Sequence, residues 1–303
     1  EFSNEEIFMD KWKERKINEM MINPNIYPND VNEILEPNYL ERQKLVVSPN
    51  EVYGAIFQLD LLTDVVSGIL HPVWAEVAQT YNFKPPSILQ CQKAIGMLSE
   101  KAITREFQWT QDIATARKIS LTFALSIQNK NLMSTYKAKS LNESNELLKR
   151  LNHSGIACAI VSRLPKLLVD KILNDAGINS LIAGQVCAED DFERDMQGFL
   201  KASLKIRRQP KKCVIFDSRP SGIIQAHEAN FKAVALSGVY PLYELSMADL
   251  SVRTLNEMKV LNVKRLFSYE VSDKQPLLQT EVLKIRKNRP VIAIYKDVPE
   301  NEE

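Results

Sequence analysis

The chain holds a short apolar run that reads as a buried strand, then a long helix-compatible stretch, and only afterwards the other strands; that interruption leaves few architectures open. The first run, Val52-Tyr53-Gly54-Ala55-Ile56-Phe57, ends in a polar cluster around Asp60 and Asp64. Strands covered on both faces carry near-continuous apolar sequence, so this run reads as a parallel strand with a functional C-terminal end. The stretch 72–151 reads as several helices, broken at Lys84-Pro85-Pro86 and near Asn129-Lys130-Asn131. From residue 155 strand and helix patterns alternate. Gly155-Ile156-Ala157-Cys158-Ala159-Ile160-Val161-Ser162 precedes a helix through Leu173, and Leu181-Ile182-Ala183 precedes Val186 and Cys187. Cys213-Val214-Ile215-Phe216-Asp217 leads into a helix over 222–229, and the run 231–236 closes the series. Alternation of this kind makes a mostly parallel sheet with helices on both faces. The expected fold is α/β, a Rossmann-like parallel sheet with an inserted helical cap. The expected division is an N-terminal arm over 1–50, a core over 51–66 and 152–270, a cap over 67–151 and a C-terminal extension over 271–303.

The 303 residues carry 39 basic and 38 acidic side chains, with a 45% apolar share. That is enough apolar material for a real core, and disorder of the whole chain is excluded. Balanced charge also argues against general nucleic-acid binding, which needs a concentrated positive field. No apolar run reaches the roughly 18 residues that a membrane-spanning helix needs, so the chain is expected not to be transmembrane. It opens at Glu1 without an initiator Met, as a processed or trimmed precursor would. Cys91, Cys158, Cys187 and Cys213 lack CxxC spacing and read as buried free thiols. His71, His153 and His227 are isolated, which gives no basis for a zinc site.

Four prolines and many Asn and Asp fall in 22–49, which reads as an extended arm, either a disordered tail or a docking segment that lies on a surface with the help of Trp12, Met20, Met21 and Tyr27. Lys201, Lys205, Arg207, Arg208, Lys211 and Lys212 form a basic patch that would suit an acidic partner or RNA, but with no interleaved aromatics it reads as one solvated helix face and its loop. Pro290-Val291-Ile292-Ala293-Ile294-Tyr295 reads as an extra edge strand or a segment that pairs with a partner's sheet.

Three segments in order carry a resemblance. Gly54-Ala55-Ile56-Phe57-Gln58-Leu59-Asp60-Leu61-Leu62-Thr63-Asp64 resembles an apolar strand followed by D-x-D-G-T-L-x-D; Ala159-Ile160-Val161-Ser162 resembles a strand ending in Thr or Ser; and the segment from Cys213 through Asp217, Ser218 and Gly222, with 231–236 after it, resembles a fourth motif. Together they resemble the haloacid-dehalogenase-like (HAD) phosphohydrolases with a helical cap after the first strand. Ile95-Gly96-Met97, Phe107-Gln108-Trp109 and Tyr240-Pro241-Leu242-Tyr243-Glu244-Leu245 look most like plant and algal plastid members, phosphatases of a riboflavin-pathway pyrimidine phosphate or of flavin mononucleotide.

The resemblance implies an aspartate nucleophile, a second Asp as acid and base, a Ser or Thr and a Lys on the phosphoryl group, and carboxylate-held Mg²⁺. Gln58 stands in the nucleophile's place, and an amide can neither attack phosphorus adequately nor supply a charged Mg²⁺ ligand. Asp60 and Ser162 keep their places. The glycine after Asp60 is replaced by Leu61-Leu62, Glu193 falls near the lysine's place, and Ser218 stands where a metal-binding Asp belongs beside Asp217. Asp60 and Asp217 would be the metal ligands if Mg²⁺ were retained. Asp217 or Ser218 would otherwise cap the next helix.

These departures imply a catalytically degenerate member with no cofactor, serving as a binding or scaffold subunit of a larger plastid assembly and meeting protein partners through the N-terminal arm and the C-terminal extension. The alternative is a Mg²⁺-dependent phosphatase acting on a small phosphorylated metabolite, a pyrimidine, flavin or sugar phosphate.

Overall fold

The computed structural model describes residues 4–23, 25–128 and 138–268. The sheet has six strands, all parallel, in the order β3-β2-β1-β4-β5-β6. They are β1 (Gly54–Gln58), β2 (Ala157–Val161), β3 (Gly184–Val186), β4 (Cys213–Asp217), β5 (Lys232–Leu236) and β6 (Leu250–Val252). Every residue of β1 and β4 is buried, as the apolar runs 54–57 and 213–216 require, and burial continues through the polar Gln58 and Asp217 at their ends. Successive residues of β1 face opposite sides. Ala55 and Phe57 join one core cluster with Val214 and Phe216, and Phe57 stacks on Phe216 with centroids 4.4 Å apart. Ile56 joins the other cluster with Ala159 and Ile215. β6 extends the sheet beyond 231–236, where the sequence series had closed; a three-residue strand is too short to show a pattern.

Three helices precede the sheet: α1 (Asn4–Ile22), α2 (Pro28–Ile34) and α3 (Tyr39–Val47). The expectation of an extended arm over 22–49 is therefore wrong. Pro28 sits in the first turn of α2, where a missing N–H costs nothing, and Asn38 starts α3 with a capping box to Glu41. Ile26, Val31 and Leu35 are buried among Phe199, Ile206 and other residues of the second cluster, so the segment covers this chain's own core.

Between β1 and β2 lie α4 (His71–Thr80), α5 (Ile88–Ala94), α6 (Ile113–Ile127) and α7 (Asn142–His153). Trp74 of α4 is the centre of the cap's packing: it stacks on Phe123 at 3.6 Å and meets Phe107 and Trp109 edge-on. These residues and the Phe57 face of the sheet belong to one apolar cluster, which seats the cap on the core. α7, the last helix of 67–151, packs on β2. Among the described residues, the longer helices after β2 are α8 (Lys166–Asp175), α9 (Asp195–Ile206), α10 (Pro220–Glu228) and α11 (Val260–Ser268). α9 and α10 cover the second face with Phe199, Leu200, Ile223 and Ala226.

The basic patch is less solvated than its sequence suggests. Lys201 is only 2% exposed and donates to the carbonyls of Asp190 and Asp191, Lys205 pairs with Asp190, and Arg207 with Glu14. The four cysteines are buried and free, and burial pushes the thiols of Cys91, Cys158 and Cys187 up to about 12. The run 290–295 lies outside the described residues.

Candidate functional site: an arginine between the central strand ends

Parallel strands in register bring their C-terminal ends together. Gln58 ends β1 opposite Val161, Ser162 follows β2, and Asp217 ends β4. The sequence-derived residues Gln58, Asp60, Ser162 and Asp217 thus meet at one edge of the sheet, where open α/β folds place their ligands. Glu193 does not join them. Its side chain is exposed, and its carbonyl accepts from Arg163 Nη2 at 2.9 Å. The acidic group that does enter the site is Asp195 at the start of α9, 4% exposed.

The site is built around Arg219, which is 3% exposed. Its backbone N and Nε donate to Asp217 Oδ1 at 2.8 and 3.0 Å, and its Nη2 donates to Asp217 Oδ2 at 2.7 Å. Nη1 donates to Asp195 Oδ2 at 2.9 Å. The neighbours orient the Gln58 amide so that Oε1 accepts from Arg219 Nη2 at 2.8 Å while Nε2 donates to the Val161 carbonyl at 3.1 Å. Neither Asp217 nor Ser218 caps α10 as expected. The N-cap position is Arg219 itself, and the Asp217 carboxylate is occupied by the guanidinium.

Arg163, the residue after Ser162, is the second cation. Its Nε donates to the Gly96 carbonyl at 2.7 Å, its Nη1 to the Phe192 carbonyl at 2.7 Å, and its Nη2 lies 3.6 Å from Asp195. Gly96 belongs to the cap and takes φ +74°; a Cβ there would come within 1.9 Å of Arg219 Nη1. Gly222, in the first turn of α10, similarly leaves room for Asp217, whose Oδ2 would lie 2.0 Å from an added Cβ.

Burial disfavours the charge on Arg219, but the carboxylates of Asp217 and Asp195 outweigh it and push its pKa up. Asp60 is moved the other way. Burial first, and then the negative charge of Asp217, raise its carboxyl to about 7. The residue as a whole is only partly buried, yet its Oδ1 is shut off from solvent and has no hydrogen-bond partner. With Asp60 protonated, two guanidiniums face the two carboxylates of Asp195 and Asp217, and the buried charge balances. Asp60 and Ser162 line a cavity of about 90 Å³ together with Trp74, Cys91, Gly96, Met97 and Phe123. That is room for a few waters and far below the roughly 300–1,000 Å³ of sites that enclose cofactor-sized ligands. Leu61 and Leu62 lie in the apolar core and do not line it.

Mg²⁺ needs a near-octahedral set of oxygens at about 2.0–2.1 Å. Here both oxygens of Asp217 and the Oε1 of Gln58 already accept from Arg219, whose positive charge lies 2.7 Å from Asp217. Among the described residues no three His, Cys, Asp or Glu side chains are placed to hold a metal. The residues present do not fit the ion, and Asp60 and Asp217 do not form the metal pair that the retained-Mg²⁺ reading needs.

Arg219, Asp195 and Arg163 were not singled out from the sequence. Arg219 carried one signal, an Arg two residues after the last acidic residue of β4 in a chain that lacks the metal-binding Asp at 218; nothing local marks Asp195 among its acidic neighbours.

The parallel sheet, the cap between β1 and β2 and the cluster at the strand ends define a class, and the comparisons agree with it. Residues 55–236 match the family model for haloacid dehalogenase-like hydrolases. The chain belongs to that family. It is 26% identical over 237 residues to the chloroplastic 5-amino-6-(5-phospho-D-ribitylamino)uracil phosphatase of Arabidopsis thaliana, covering 75% of this chain and 61% of that protein. It is 25% identical over 125 residues to the validoxylamine A 7'-phosphate phosphatase of Streptomyces hygroscopicus subsp. limoneus, covering 40% of this chain and 58% of the relative. The chain thus spans about three-fifths of the length of these relatives. A hydrolase from Pseudomonas syringae shares its fold with a TM-score of 0.57 at 21% identity, covering 70% of this chain and 98% of that one. A β-phosphoglucomutase from Clostridium difficile does so with 0.54 at 16%, covering 73% and 99%. The matched relatives are phosphatases of phosphorylated metabolites, which favours the phosphatase alternative over the scaffold reading. The side chains at this chain's own strand ends pull the other way.

Proposed function

We propose that this chain is a non-hydrolysing member of the phosphatase family, kept for binding rather than for phosphoryl transfer. The observation that carries the reading is Gln58. It stands at the C-terminal end of the central strand, where an attacking carboxylate is required, and both ends of its amide are already hydrogen-bonded, to Val161 and Arg219. An uncharged amide whose oxygen is already held by a guanidinium is too weak a nucleophile for in-line attack on phosphorus. A role as a subunit of a plastid assembly goes with this reading. Its support is the chloroplastic relative and helix α3, which has no buried residue and leaves Tyr39, Val46 and Val47 exposed.

The second reading, a Mg²⁺-dependent phosphatase on a small phosphorylated metabolite, is supported by the names of the relatives and by Asp60 and Ser162 meeting under the cap. It requires Arg219 to leave Asp217. Orthophosphate release from a panel of sugar, pyrimidine and flavin phosphates, with and without Mg²⁺, separates the two. No release above a boiled control supports the non-hydrolysing reading. Mg²⁺-dependent turnover that disappears in Asp60→Asn sinks it.

A further inference from the structure

We propose that Arg219 is a tethered substitute for a divalent cation and that, with Arg163, it latches the cap shut. The inference rests on the non-hydrolysing reading and deepens it. One guanidinium touches four separate parts of the chain: Asp217 at the end of β4, Asp195 on α9, Gln58 at the end of β1, and the cap at Gly96, whose missing Cβ leaves space for Nη1. Arg163 ties the same cap glycine, by its carbonyl, to the loop after β2 and to the carbonyls of Phe192 and Glu193. A bound metal ion is lost to chelators and dilution, whereas a side chain is present at unit stoichiometry. Its planar fork also satisfies both Asp217 oxygens at once, which an ammonium group does not do. A permanently neutralised site needs no ion to keep Asp195 and Asp217 together, and the cap fastened to that site has no step at which it must open.

Cys91 reports on the latch. It sits on α5, buried at 1% exposure, and lines the small cavity beneath the cap, whereas Cys158 and Cys213 lie inside the sheet at 0%. In the wild type all four thiols should react slowly with an aromatic disulfide reagent, at rates that 10 mM MgCl₂ and EDTA leave equal. A divalent-cation site of about 0.1 mM affinity would instead raise the folded-to-unfolded ratio about a hundred-fold at that concentration, and such a response would overturn the substitution by Arg219. In Arg219→Ala, and in the milder Arg163→Ala, the Cys91 rate should rise at least tenfold while Cys158 and Cys213 stay protected, with Cys91→Ser in each background assigning the signal. Cys91 protected as in the wild type in both variants, or all four thiols reacting together in both, would overturn the latch. Turnover of a phosphate ester by the wild type would sink the non-hydrolysing reading without altering the thiol rates, so the two failures are distinguishable.

Discussion

Gly96 of the cap and Arg219 of the core are packed so closely that a methyl group on the glycine would fall 1.9 Å from the guanidinium Nη1. The cap is thereby fitted to an arginine, and any side chain at 96 would have to displace its guanidinium.

Gly96→Ala should cost more than its backbone alone explains. Gly177 offers the control, with φ +69° and nothing within 4 Å of an added Cβ. Forcing an L-residue into the left-handed region costs about 1–2 kcal/mol, and this is all Gly177→Ala should lose. Gly96→Ala should lose a further 1–3 kcal/mol or so from the contact with Arg219. Urea midpoints at unchanged m-value measure both, and equal losses would show that Arg219 does not bear on Gly96.

Asp60 should make the protein less stable as the pH rises. Its folded pKa of about 7 lies above the ordinary 3.8 because burial and Asp217 disfavour the charge. A raised carboxyl favours the folded state fully below its ordinary pKa, and that advantage drains away as pH climbs through the folded value. Between pH 4 and pH 8 the wild type should lose up to about 4 kcal/mol relative to Asp60→Asn, whose amide does not titrate. Parallel stability curves for the two proteins would contradict the assignment.

The first helices should behave as part of the fold. Leu35 is 6% exposed in the cluster that holds Phe199 and Ile206, so Leu35→Ala should destabilise the whole protein by about 2–4 kcal/mol. Thermal or urea unfolding followed at the cap tryptophans should shift with it. No shift would mean that the segment is an independent arm after all.

What the sequence made legible followed from burial. β1, β2, β4 and β5 are covered on both faces, so they are apolar through their middles, and their spacing around a helical stretch already implied a parallel sheet with an inserted cap. Gln58, Asp60, Ser162 and Asp217 were placed together for the same reason, because strand ends in register must meet. Helices α2 and α3 were lost to the prolines. Pro28 reads as a breaker in sequence, yet at the first turn of a helix it is a starter. Arg219 was lost because charged residues are ordinarily exposed, and only the tertiary meeting of Asp217, Asp195 and Gln58 makes a buried guanidinium tolerable. Glu193 and Asp195 are two residues apart in an acidic run, and the turn into α9 alone decides which of them faces inward.

A crystal structure of the protein grown with Mg²⁺ and orthophosphate tests the central claim most directly. The account predicts Arg219 between Asp217 and Asp195 with Gln58 Oε1 about 2.8 Å from Nη2, and no metal density at the strand ends. A magnesium ion bound by Asp60 and Asp217, with Arg219 swung out of the site, would contradict it.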